Sequence, residues 1–399
     1  EPDNLGGGIY LSGGNPVLTN VIVTENSASS HGGGVYAYDI LSTISNAVFS
    51  NNSADVGSGG MNISESAPTI VNSIFIGNAC AGRWSGGGGL GNNLSTTTLI
   101  NVTMVNNDAG TGYGGAMSSY RSAPRLINTI IWGNTAENSY NPQIWNNDSY
   151  PEISYSLIEG CGGSGGSWDG TYGLDSGNNI DEEPLFLDEI SGDLRLKAVS
   201  PAVNSGNDAA PGLPPTDFNG NPRISGIAVD MGAYERLCPA GAIVYVDDDA
   251  AGLNDGSSWT NAFTDLQEAL EWAPCGGVTE IWVAEGSYRP TSSDDRGVAF
   301  QLVNGVTLYG GFSGTETSIT ERDSLSGTTI LSGDIGMEGY SDDNSYHVVT
   351  GIDADSTAVL NGFTITLGNA DGAAPDNLGG GIYLSGGNPG LTTVIVTEN

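Results

Sequence analysis

The chain has 399 residues, 62 of them glycine, and its acidic residues outnumber its basic ones 46 to 10, a formal net charge of -36. So much glycine with only 14% charged residues describes an ordered, repetitive chain, while the charge excludes nucleic acid or an anionic membrane as ordinary partners, since counterion release needs a basic face. No apolar run approaches the ~18 residues a membrane helix requires, so no direct membrane span is expected in this segment.

From its first residues the chain repeats one pattern. Gly6-Gly7-Gly8 is followed by apolar Ile9, and the same marker returns at Val35, Met61, Leu90 and Met117, in steps of 26, 26, 29 and 27. Asn20, Asn46, Asn72, Asn101 and Asn128 keep those steps, and so do Asn26, Asn52, Asn78, Asn107 and Asn134. Three markers sharing one irregular spacing are not an accident of composition. Between the two asparagines lies a short apolar stretch, as in Val21-Ile22-Val23 or Ile74-Phe75-Ile76, which reads as a strand. Each repeat has room for two or three strands with their turns, so residues 1–160 read as coils of a parallel β-helix, an all-β solenoid. Recurring asparagines predict a ladder in which each amide bonds the one above and below, and the glycines mark sharp corners or close approach of coils.

At residues 161–236 the period is lost and proline and aspartate increase. This stretch reads as an irregular C-terminal cap, in which Arg223 is expected to pair with Asp217, Asp230 or Glu235. Residues 237–242, with Pro239, read as a linker. Residues 243–277 begin the next unit with a strand, an Asp/Gly/Asn loop and a helix at about 264–273. Thr264 with Gln267 suggests a capping box, Leu266, Ala269, Leu270 and Ala273 form an apolar face, and Pro274 with Gly276-Gly277 stops the helix. Such a helix would cap the first coil, whose edge would otherwise invite aggregation. Residues 278–399 return to coils, with strand candidates at 280–284, 305–309, 328–331, 347–350 and 359–367.

The last 25 residues, Pro375 to Asn399, repeat Pro2 to Asn26 with only Val17 against Gly390 and Asn20 against Thr393. The chain is therefore expected to span one period of a tandem array whose unit starts near Ala242, passes residue 399, resumes at residue 27 and ends near Arg236.

Two resemblances rest on these residues. The coils resemble repeats of the chlamydial polymorphic outer membrane proteins: Gly114-Gly115-Ala116-Met117 matches their glycine corner, and Phe49-Ser50-Asn51-Asn52 and Phe75-Ile76-Gly77-Asn78 match their Phe-x-x-Asn. Val23, Met104 and Ile131 replace that phenylalanine elsewhere. The unit's opening (Tyr245-Val246-Asp247, Asn254 to Trp259, Leu266 to Leu270) and close (Ser200 to Gly206, Asp230 to Glu235) resemble bacterial surface and secreted proteins of the pectate-lyase-like superfamily. The resemblance implies a right-handed β-helix with one N-terminal capping helix per unit, and an extracellular or cell-surface location. It carries little about activity, because that superfamily mixes lyases, hydrolases and proteins without catalysis.

Candidate chemistry is sparse. Cys238 and Cys275 flank the next unit's cap and are paired here as a staple across the joint, with Cys80 and Cys161 paired by remainder, as expected in an oxidising compartment. Four buried thiols are the competing reading. Asp247, Asp249 and Asp255 cluster hard oxygen ligands that would suit calcium, against the simpler reading of an Asx-turn loop leading into the helix. Among the few cations, Arg83, Arg121 and Arg125 lie within regular coils, none beside a carboxylate recurring at coil spacing, and His31 and His347 lack metal-spaced partners. No catalytic residue is assigned. The expected function is mechanical: units advancing ~4.8 Å per coil, stacked head to tail with copies of themselves into an adhesive bacterial surface fibre. A polysaccharide-binding or polysaccharide-cleaving module displayed in tandem, with surface glycans as partners, is the alternative.

Overall fold

The computed structural model describes residues 4–81, 86–137, 142–197, 200–237, 241–273 and 277–399. The chain divides into two compact units, Glu1–Leu237 and Cys238–Asn399, each built on a parallel β-solenoid.

In the first unit each coil gives one short strand to each of three sheets. The first sheet stacks Ile9–Ser12, Val35–Tyr38, Met61–Ser64, Leu90–Asn93, Met117–Tyr120 and Ile144–Asn147 in that order. The residue after each glycine corner therefore lies over its counterpart, Ile9 on Val35 on Met61 on Leu90 on Met117. A second sheet runs from Leu18–Thr19 to Leu174–Asp175, a third from Ile22–Thr24 to Leu157–Ile158, and three two-residue strands, Ser27–Ala28, Ser53–Ala54 and Ala79–Cys80, form a fourth.

Register decides what fills the interior. Ile44, Ile70, Leu99 and Leu126 line it from the second sheet, and Phe49, Phe75, Met104 and Ile131 from the third, all fully buried. Phe49 and Phe75 stack with centroids 4.6 Å apart. Between these two sheets the chain turns through Asn20, Asn46, Asn72, Asn101 and Asn128, all at φ of 46 to 54°, a left-handed conformation asparagine tolerates better than most residues. At the corners there is no room for a side chain: a Cβ on Gly33 would lie 2.1 Å from Ser53 O and one on Gly59 2.2 Å from Ala79 O.

The segment read as a C-terminal cap does two jobs. Residues 161–181 continue the last coil: Cys161 and Tyr172 join the interior core, Trp168 packs against it, and Leu174–Asp175 pairs with Glu152–Ser154. Residues 184–197 and 200–236 run instead along the flank of the coils. Phe186, Leu194, Leu196, Ala202, Met231 and Ala233 cover outward residues of the third sheet, Ile74, Ile130 and Leu157 in one row and Val105 in the next, and Ala210 with Leu213 covers Val71, Ile100 and Ile127 on the second. The physical reason is the apolar outer surface of those coils, which a polar strand face would not need to bury.

The second unit has a five-stranded sheet ordered Ile243–Val246, Glu280–Ala284, Thr307–Phe312, Val359–Asn361 and Gly390–Thr392. Four- and three-stranded parallel sheets accompany it, the latter stacking Phe300–Gln301, Val349–Ile352 and Ile382–Ser385. The stretch expected as one strand at 359–367 is two, Val359–Asn361 and Thr364–Thr366, separated at Gly362 (φ +87°). The helix is Leu266–Trp272, and its cap is Asp265, not Thr264: Asp265 Oδ1 accepts the Gln267 amide at 2.8 Å. An aspartate at this position also meets the positive end of the helix, whereas the Thr264 amide is held by Asn254 Oδ1. Leu266, Ala269 and Leu270 pack with Val244, Val246 and Phe263.

Candidate functional site

The asparagine series has two different roles. Asn26, Asn52, Asn78, Asn107 and Asn134 form an unbroken inner ladder, each Nδ2 donating to the next Oδ1 at 2.9 to 3.0 Å. Asn78 shows the full pattern. Its Oδ1 accepts the Asn52 amide at 3.1 Å and Asn52 Nδ2 at 3.0 Å, while its Nδ2 donates to Phe49 O at 2.7 Å and Asn107 Oδ1 at 2.9 Å. All four hydrogen-bonding sites of the amide are used, so its burial carries no desolvation penalty left uncompensated. Gln143 ends the ladder, its Oε1 accepting Asn134 Nδ2 at 2.8 Å.

The outer series is a ladder only at its ends, where Asn46 donates to Asn20 and Asn128 to Asn101, each at 3.2 Å. From the third coil on its amides also turn outward to hold the flank strap: Asn72 Nδ2 donates to Thr216 O at 2.6 Å, Asn101 Nδ2 to Asp230 O at 3.0 Å, and Asn128 Oδ1 accepts the Asn207 amide at 2.7 Å. Arg223, 2% exposed, completes this lock. It donates to Asn72 Oδ1, to Ala233 O and to Glu235 Oε2 at 3.1 Å, so of the three expected partners the structure selects Glu235. Burial, reinforced by Asp230, pushes Glu235 up to about 8, and burial pushes Asp230 to about 6.

A third column escaped the sequence reading. Ser66, Ser95, Ser122 and Ser149 each accept a backbone amide from the preceding coil, at Ile40, Ser66, Ser95 and Ser122. Its signal was present, since these serines are 29, 27 and 27 residues apart, the first two steps being the later steps of the asparagine series.

The second and third sheets are covered from the third coil on; the first sheet leaves Tyr10, Tyr38 and Tyr120 exposed but is buried at Asn62, Ser64 and Ser118. Its outward row is Tyr10, Tyr36, Asn62, Gly91, Ser118 and Trp145, in register. The neighbouring row includes Tyr38, Ser64, Asn93, Tyr120 and Asn147. Two depressions of about 360 and 590 Å³ on this face share His31, Asn62 and Asn93 in their linings. Aromatic pairs stand towards its two ends: Tyr10 and Tyr36 stack at 5.7 Å, Tyr113 and Trp145 at 5.0 Å. His31 meets Tyr36 edge-on, bonds Ser30 Oγ at 2.7 Å and has its pKa lowered by burial, which favours the neutral imidazole.

The other candidates stay apart. Among the described residues no group of three His, Cys, Asp or Glu is placed to hold a metal. Asp247 and Asp255 instead accept the amides two residues on, of Asp249 and Ser257, the Asx-turn geometry. Cys80 and Cys161 are not joined: the Cys80 thiol faces Val56 O and the Cys161 thiol Ile180 O, at opposite parts of the stack. Cys238, Cys275 and Arg83 lie outside the described residues. Arg121 and Arg125, contrary to expectation, do have carboxylates one coil on, Asp148 at 3.7 Å and Glu152 at 3.1 Å, all well exposed. His347 likewise lies 3.7 Å from Asp376 and stacks on Tyr383. No helix among the described residues is long and apolar enough to cross a membrane. No protein-family model, curated protein or solved structure matches this chain.

Proposed function

We propose that this chain belongs to an adhesive, structural protein of a bacterial surface: right-handed β-helical units of the pectate-lyase-like type, stacked head to tail into an extracellular fibre that meets its target through the first-sheet face. The observation that carries the reading is the division of labour among faces. The chain spends residues 184–197 and 200–236 on covering apolar outer rows of two sheets, while the first-sheet face carries depressions lined with tyrosine, tryptophan and asparagine. Rigid aromatic and amide side chains are the ones that adhesion surfaces use at low entropic cost.

The tandem arrangement is supported by the near-identical end segments. Thr393 takes a φ of 53° where Asn20 takes 54°, so the copy keeps its turn even with an unfavourable residue. Helix Leu266–Trp272, packed on Val244 and Val246, would cap each unit's first coil. The test is electron microscopy of a chain carrying several consecutive units. Rods of uniform width with a regular axial period are expected; compact particles without that period would sink the proposal. A polysaccharide-cleaving module is the second reading, favoured by the imidazole of His31 in those depressions, and release of reducing sugar abolished by His31→Ala would establish it instead.

A further inference from the structure

We infer that the last coil of the second unit is completed by a second copy of this chain. Residues 382–399 of one copy take residues 35–52 of the next on their free side, so that the second unit of the one and the first unit of the other become halves of one continuous solenoid. This rests on the head-to-tail reading and names the surface through which successive copies meet.

Ile382–Ser385, Gly390–Thr392 and Ile395–Thr397 are the last strands of the second unit's three parallel sheets, and Ile9–Ser12, Leu18–Thr19 and Ile22–Thr24 are end strands of the first unit's. Both sets belong to the repeated segment, which differs only at Gly390 and Thr393, so one coil is seen twice, once from each side. On one side Ile382 pairs with Val349, Leu391 with Leu360 and Val396 with Ile365. On the other, their counterparts Ile9, Leu18 and Val23 pair with Val35, Ile44 and Phe49. All six of those partners are fully buried. Three interior columns therefore pass through a shared coil without a break.

The positions that lie open at this end of the second unit are the ones the columns need. Leu391 is 42% and Val396 53% exposed, where their counterparts Leu18 and Val23 are 8% and 5% exposed. Strand edges that face water are usually blunted by charge, and residues 382–397 carry no charged side chain.

Polar contacts divide in the same way. Asn399 Nδ2 donates to Ile365 O at 3.0 Å and its Oδ1 accepts the Gly368 amide at 2.9 Å, both towards the preceding coil. Asn26 donates to Asn52 Oδ1 from its amide and from Nδ2, both at 3.0 Å, towards the following coil. Together these reproduce the two-sided bonding of Asn78. Tyr383 stacks on His347 at 4.8 Å and Tyr10 on Tyr36 at 5.7 Å, one ring position with a partner on either side.

Amide hydrogen exchange decides this, on the 399-residue chain and on a chain in which residue 399 is followed directly by residues 27–399 of a second copy, both dilute. The Gly13, Asn20 and Glu25 amides donate to the Tyr38, Ser45 and Ser50 carbonyls, and the Asn26 amide to Asn52 Oδ1. Their counterparts at Gly386, Thr393, Glu398 and Asn399 should exchange about a hundred-fold more slowly at the junction of the two-copy chain than in the single chain. Val396→Asp, on the inward row, should abolish that gain, while Ile395→Asp, on the outward row, should keep it. The Ile130 amide, held by Val102 O at 2.9 Å, should stay protected in every variant and shows that it folds. Equal exchange at the four junction amides in the two chains, or equal effects of Val396→Asp and Ile395→Asp, would overturn the inference. Electron microscopy of a chain of several copies reads the fibre separately: regular rods with those amides unprotected would refute the shared coil alone, and protected amides without rods would refute the fibre alone.

Discussion

Replacing Asn78 by alanine tests the inner ladder most directly. The side chain is fully buried, and its loss leaves the Asn52 amide, which donates to Asn78 Oδ1 at 3.1 Å, without a partner in a place water does not reach. Asn52 Nδ2 keeps Val23 O at 2.8 Å, and the Asn78 amide keeps Asn107 Oδ1 at 3.1 Å, so those groups stay satisfied. One orphaned amide costs about 1 to 3 kcal/mol and the lost bond to Phe49 O about another 1, giving about 2 to 4 kcal/mol in all. Asn46→Ala is the control. Asn46 makes an exposed bond to Asn20 at 3.2 Å and occupies a left-handed turn, so alanine there costs about 1 kcal/mol, mostly from backbone preference. Because solenoids open piecewise, the assay is amide hydrogen exchange read coil by coil, with urea unfolding alongside. Protection at Asn52 should collapse in Asn78→Ala and survive in Asn46→Ala. Equal losses in the two variants, or an unchanged Asn52 amide, would refute the claim that the buried column holds the coils together.

Four further outcomes follow from the same geometry. Thr393→Asn should stabilise the second unit by about 1 kcal/mol, since asparagine replaces a β-branched residue at φ of 53°, and unchanged urea unfolding of that unit would contradict it. Arg223→Met should release the flank strap at a cost of about 3 to 5 kcal/mol, by leaving Glu235 and Asp230 buried beside an apolar side chain; exchange at Ala233, whose amide is held by Thr103 Oγ1, reports it. In the wild type the strap should loosen as pH rises, because Glu235 binds its proton more tightly folded than unfolded. Its contribution is whole below about 4.5 and lost as pH passes about 8, and greater protection of the strap at pH 9 than at pH 5, after correction for intrinsic exchange, would reverse that sign. Finally, burial pushes the Cys161 thiol up to about 11, so alkylation of the native chain at pH 8 should be much slower at Cys161 than at a solvent-exposed thiol, as peptide mass mapping would read.

The solenoid was legible because its signal is long and repeated: a glycine corner, an apolar residue and two asparagines in one irregular step leave a single way to stack. What those marks do not carry is contact across distance. Asn72 and Arg223 are 151 positions apart, and nothing near either tells that the outer asparagines are shared between ladder and strap. Yet the need for a strap was written locally, in the loss of alternation. Leu18-Thr19 and Ile44-Ser45 put a polar residue outward, whereas Ile70-Val71, Leu99-Ile100 and Leu126-Ile127 are apolar on both faces, the mark of a strand buried on two sides. The change comes at the third coil, where the flank cover begins. The first-sheet face follows by the same logic run backwards. One place after each apolar marker stand Tyr10, Tyr36, Asn62, Gly91, Ser118 and Trp145, a row that never turns aliphatic, although its central positions Asn62, Gly91 and Ser118 are buried. Two outer faces of the coils become apolar and recruit the chain's own strap, while the first-sheet face carries aromatic and amide side chains in the same register instead.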